Sequence, residues 1–137
     1  MERRSAEKVL KASLQAGAIY CLGVAFAHLV RVKVPGLYVY YSIPSQGYQD
    51  QVIGTLAFGW AVFLWAASGG RQTRQMLLPA VFTAGLGGVA GLTVINLSSE
   101  LAALAKPIDL AVFWLETGLL AGYLGWLLMW SMRRRVR

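Results

Sequence analysis

The chain has 137 residues, of which 57% are hydrophobic and only 14% charged, with a mean hydropathy of +0.54. A soluble domain of this length carries roughly 25% charged residues, so this surface is not built to face water. The 13 Lys+Arg outnumber the 6 Asp+Glu to give a net charge of +7. They gather at the chain ends and in one short loop, a pattern of membrane topology and not of nucleic-acid binding. One cysteine and one histidine exclude an intrachain disulfide, a cysteine zinc site and, within one chain, a bis-histidine haem.

A membrane-spanning helix needs about 20 mostly apolar residues, and four runs qualify: Ala12 to Val30, Val52 to Ser68, Met76 to Leu97 and Ile108 to Met132. Lipid offers no partner for open backbone groups, and four segments cannot close a barrel. The expected fold is therefore all-α: a single polytopic four-helix transmembrane bundle. Ala25-Phe26-Ala27 resembles a signal-peptidase site, and Cys21 is preceded by bulky Tyr20 where a lipoprotein signal needs a small residue; the first span is expected to be retained. Ten of the 13 basic residues (Arg3, Arg4, Lys8, Lys11, Arg71, Arg74, Arg133, Arg134, Arg135 and Arg137) fall on one side, against Arg31, Lys33 and Lys106 on the other. The positive-inside rule then predicts both termini in the cytoplasm, and the expected location is a bacterial inner membrane.

The connection from Lys33 to Asp50 carries Tyr38, Tyr40, Tyr41 and Tyr48. Pro35-Gly36 and Pro44 break any helix there, and the aromatic run from Leu37 to Ile43 favours an extended segment. Tyrosines prefer the headgroup level, so this is an interfacial flap or a lid over a pocket. Asp50 and Gln51 are expected to cap the second span. Ser68 to Gln75 reads as a short basic turn. Beyond Leu97, the spacing of Leu97, Leu101 and Leu104 predicts a short amphipathic helix capped by Ser98 or Ser99. Pro107 and Asp109 suit the start of the fourth span. Asn96-Leu97-Ser98 matches a glycosylation sequon but abuts the membrane.

Close packing of small residues holds helices together in lipid. Gly87 and Gly91 form one GxxxG pair and Gly118 and Gly122 another. Gly17, Cys21 and Ala25 share a face of the first span, and Thr55 and Gly59 a face of the second. One seam per helix fits an intrachain bundle; a homodimer or a docked partner helix is the alternative. Trp126 and Trp130 sit inside the terminal arginines, where an aromatic belt belongs.

Glu116 lies six residues beyond Leu110, about 9 Å at 1.5 Å per residue, in the outer part of the fourth span. A charged carboxylate at mid-membrane costs roughly 2.5–3.5 kcal/mol, so it should face the bundle, paired or protonated. His28, Arg31, Asn96 and Asp50-Gln51 lie at compatible depth. Glu116 either fixes helix register, for instance through Arg31, or joins His28, Arg31 and Asn96 around a pocket for a small molecule, a quinone headgroup or a proton. Phosphate-loop, zinc-protease, redox-dithiol and serine-hydrolase motifs are absent, so no catalytic or metal-ligating set is expected.

The stretch Gly23-Val24-Ala25-Phe26-Ala27-His28, followed by basic residues and a Pro-Gly turn, resembles the DoxX-like group of small four-helix membrane proteins. That group tends to place His-Gly-x-x-Lys here; in this chain Leu29 replaces the glycine and Val32 the lysine, so only His28 carries over. The resemblance implies an accessory membrane subunit, in some members linked to quinone or thiol redox systems. The leading expectation is a non-catalytic subunit of a larger membrane complex, in contact with lipids and other membrane subunits and not with nucleic acid. The alternatives are a homo-oligomeric proton-coupled carrier using Glu116 and a quinone- or ligand-binding redox subunit.

Overall fold

The computed structural model describes residues 2–38, 40, 43–98, 101, 103 and 110–135. Among them are four long helices and no strand: α1 (Glu2–Leu29), α2 (Gly47–Ala67), α3 (Arg71–Asn96) and α4 (Ala111–Arg135). Each is long and apolar enough to cross a membrane. The helices form a ring in which each packs on its neighbours, α1 most extensively on α2, and among the described residues the backbones of the diagonal pairs stay apart.

The observed helices begin earlier than the apolar runs, except α4. Residues 2–11 of α1 are strongly charged, yet Ala6, Leu10, Leu14 and Ala18 fall four apart and are all buried. That single apolar stripe docks the first turns on the bundle and carries the helix beyond the apolar run. Leu10, Leu14 and Ala18 meet Leu64 and Ala67 of α2, Leu78 and Val81 of α3 and Leu127 of α4. The main core thus lies at the end of the bundle that bears both termini. There the Tyr123 hydroxyl donates to the Ser13 carbonyl at 2.9 Å and Trp126 Nε1 donates to Ser13 Oγ at 2.9 Å. Arg133 stacks over the Trp130 ring at 4.9 Å, as an interfacial belt would have it.

The basic turn between α2 and α3 is held from within. Arg74, 5% exposed, donates to the carbonyls of Ser68 and Gly69 at 3.2 and 2.7 Å. A cation there satisfies the carbonyls of the turn just past α2 and complements the negative end of that helix's dipole. Arg71 pairs with Glu7 of α1 at 3.7 Å.

Two expectations for the opposite end are corrected. The α1–α2 connection is not extended: its described residues form turns, with Leu37 and Tyr38 N–H both donating to the Val34 carbonyl, and Ile43 N–H to that of Tyr40. Arg31 and Tyr40 take positive φ, 57° and 53°, which folds the segment back on itself. Nor does Asp50 cap α2. The helix begins at Gly47, the Gln49 side chain accepts the Gln46 N–H at 3.0 Å, and Asp50 turns inward, 3% exposed. Much of the segment expected as a short amphipathic helix, including Ser99, Leu104, Pro107 and Asp109, lies outside the described residues, as does Tyr41. Ser98 Oγ does accept the Leu101 N–H at 3.2 Å, and Leu101 packs on Phe113.

Small residues mark the close approaches, on the expected seam of α1 but at different positions from those expected on α2, α3 and α4. A Cβ at Gly54 would stand 3.1 Å from the Ala25 carbonyl of α1, one at Gly17 would strike the Tyr123 hydroxyl, and one at Gly85 would strike Leu124. Gly87, Gly91, Gly118 and Gly122 are exposed, and nothing among the described residues lies within 4 Å of where their Cβ would be. Gly59 is equally open. The two GxxxG pairs therefore do not build the intrachain bundle.

Candidate functional site at the end opposite the termini

His28 closes α1 and Asp50 sits in the first turn of α2, and the tight α1–α2 packing at Gly54 brings them together. His28 Nδ1 is 3.6 Å from Asp50 Oδ1, with side chains 0% and 5% exposed. The turn at Pro35-Gly36 folds Tyr38 over this pair. Its ring stacks on the imidazole with centroids 3.9 Å apart and planes inclined by 19°, and the residue is 1% exposed. Ser45 Oγ donates to Asp50 Oδ2 at 3.1 Å and lies 3.1 Å from the Tyr38 hydroxyl. A serine hydroxyl has one proton, so with that proton on Asp50 the Tyr38 hydroxyl is the donor to Ser45. The result is a directed chain, Tyr38 to Ser45 to Asp50, closed by the imidazole. Burial pushes the Tyr38 phenol pKa up, which keeps it in its proton-donating form.

A second polar knot joins the same loop to α3 and α4. The Tyr40 hydroxyl donates to Asn96 Oδ1 at 2.9 Å. Asn96 Nδ2 donates to Thr117 Oγ1 at 2.9 Å and to the Phe113 carbonyl at 3.3 Å. Thr117 in turn donates to that carbonyl at 3.0 Å, and the Tyr40 ring meets Phe113 edge-on at 4.8 Å. Asn96 is thus satisfied at both ends of its amide. The Tyr40 phenol pKa is raised, first by burial and then by the nearby charge of Glu116.

The four residues expected around one pocket are therefore distributed. His28 belongs to the first knot and Asn96 to the second. Glu116 is half-buried beside Tyr40 and forms no hydrogen bond or ion pair among the described residues. Arg31 is exposed and does not pair with Glu116; its guanidinium lies against Gly47 at the start of α2. The sequence reading missed Tyr38, Ser45 and Thr117 as partners. Tyr38 and Thr117 sit at unremarkable spacing, and only the fold brings them to His28 and Asn96.

Between the knots lies a cleft of about 410 Å³, whose walls include Tyr40, Ile43, Pro44, Tyr48, Asp50 and Val52. Its sides are aliphatic and aromatic and its charged element is Asp50. Among the described residues no three His, Cys, Asp or Glu side chains converge on a metal-sized site. No protein-family model, curated protein or solved structure matches the chain.

Proposed function

We propose that this integral membrane protein is a non-catalytic accessory subunit of a larger membrane assembly. The observation that carries the reading is the outward placement of Gly87, Gly91, Gly118 and Gly122 on α3 and α4. Glycine inside a helix costs about 1 kcal/mol relative to alanine, and none of these four repays that by letting helices of its own chain approach. In lipid, such seams serve close helix–helix contact, and a neighbouring subunit supplies the missing helix. Only 17% of the apolar window of α3 is buried inside the chain, which leaves that helix the widest face for such a contact. The basic end, with Arg4, Lys8, Lys11, Arg71 and Arg133 exposed, faces the cytoplasm in this reading, in a bacterial inner membrane.

The test is native mass spectrometry after gentle extraction from the source membrane. The wild type is expected to travel with companion subunits, and Gly91→Ile and Gly122→Ile to lose them while keeping the wild-type thermal midpoint. A lone chain or a clean homo-oligomer in the wild type would overturn the reading.

A further inference from the structure

We propose that the cleft beside Asp50 binds the headgroup of a zwitterionic phospholipid bearing a primary ammonium. Its chemistry separates opposite charges over headgroup dimensions. On the inner side stands Asp50, a cleft-lining residue 3% exposed, whose Oδ2 accepts from the Ser45 hydroxyl and whose Oδ1 faces His28 Nδ1 at 3.6 Å. Tyr40 and Tyr48 line the same cleft, and aromatic faces attract an ammonium. Two cations stand beside wall residues of the cleft or their chain neighbours. The Arg31 guanidinium lies against Gly47, next in sequence to Tyr48 of the cleft. Lys33 Nζ donates to the carbonyl of Ile43, itself a wall residue, at 3.2 Å.

An ammonium in the cleft with a phosphate on the rim matches this order of charges. A purely anionic headgroup would bring its charge towards Asp50, and a quaternary ammonium offers no N–H to a carboxylate. The remaining walls, Val52 and Ile53 of α2, continue into the apolar span, where acyl chains would lie. Tyr48 is 62% exposed, at the level where tyrosine meets headgroups.

The full chain, delipidated in detergent, would be offered equal amounts of dioleoyl-phosphatidylethanolamine, -phosphatidylcholine and -phosphatidylglycerol, and retained lipid read by native mass spectrometry. The ethanolamine lipid is expected to be retained at least about tenfold over the other two, the scale of one charge-assisted hydrogen bond. Asp50→Asn is expected to abolish that preference. Tyr48→Leu, which touches no buried contact, is expected to reduce it with an unchanged thermal midpoint, so a folding failure of the first variant leaves the second decisive. Equal retention of all three lipids, or a preference unaltered in Tyr48→Leu, would overturn the proposal. Dodecylamine supplies the ammonium without the phosphate; if it binds as well as the lipid and equally to Arg31→Gln, the ligand is a simple amine and the phospholipid assignment falls.

Discussion

His28 and Asp50 stand with Nδ1 and Oδ1 3.6 Å apart, both side chains almost wholly removed from solvent, and so tie the end of α1 to the beginning of α2. Removing one member of a buried polar pair leaves the other without that partner, which costs about 1–3 kcal/mol, and removing both costs less than the sum where the two side chains interact. Asp50→Ala and His28→Ala are therefore expected to lower the thermal midpoint sharply, and the double variant to fall little further. Thermal unfolding of the four proteins in detergent measures the coupling. Strict additivity would mean that the two side chains do not interact.

The Tyr38 phenol lies over this pair, and burial raises its pKa above the ordinary value of about 10. The fold favours the neutral phenol. Its contribution to stability is fully present below the unfolded pKa and is lost as pH rises through the higher folded one. Alkaline titration followed at 295 nm should show a late tyrosinate component that is missing in Tyr38→Phe. Loss of structure should accompany that component in the wild type, at pH above about 10. A Tyr38→Phe titration superimposable on the wild type would contradict it.

The glycines sort by what stands next to them. At Gly17 an added methyl strikes the Tyr123 hydroxyl, which holds the Ser13 carbonyl. Gly17→Ala is therefore expected to destabilise by about 1–3 kcal/mol through overpacking. At Gly87 the space is open, so Gly87→Ala should leave the isolated chain unchanged or gain up to about 1 kcal/mol of helix propensity. Midpoints of the two variants, measured side by side in detergent, check the contrast, and the reverse order would refute the packing described.

These cases show where the sequence is readable. Four apolar runs must become helices in lipid, because backbone groups have no other partner there, and four long helices are what the described residues form. The charged start of α1 lay outside that criterion, although the four-residue spacing from Ala6 to Ala18 carried the information. A GxxxG pattern reports that close approach is possible but not which way the face turns: Gly54 and Gly85, outside any such pair, make the contacts. Asp50 was visible as a polar residue near the membrane surface, and cap propensity alone assigned it to the helix end. Its pairing with His28, 22 positions earlier, depends on the helix crossing and on Tyr38 folding back across a proline-glycine turn, which are tertiary facts.

Asn96 and Glu116 share a depth in the sequence reading, but their surroundings separate them. Asn96 receives the Tyr40 hydroxyl and donates to Thr117 and the Phe113 carbonyl, so Asn96→Leu leaves the half-buried Tyr40 phenol without its acceptor, while Thr117 keeps its bond to the Phe113 carbonyl. A stranded polar group costs about 1–3 kcal/mol, and the midpoint should drop accordingly. Glu116 has no partner among the described residues, and a half-buried charge in a span is itself unfavourable. Glu116→Gln should therefore hold or raise the midpoint. That leaves a folded protein in which any role for the carboxylate in moving protons can be read directly as flux in proteoliposomes. If Glu116→Gln instead unfolds the chain, the carboxylate holds a contact that this packing lacks.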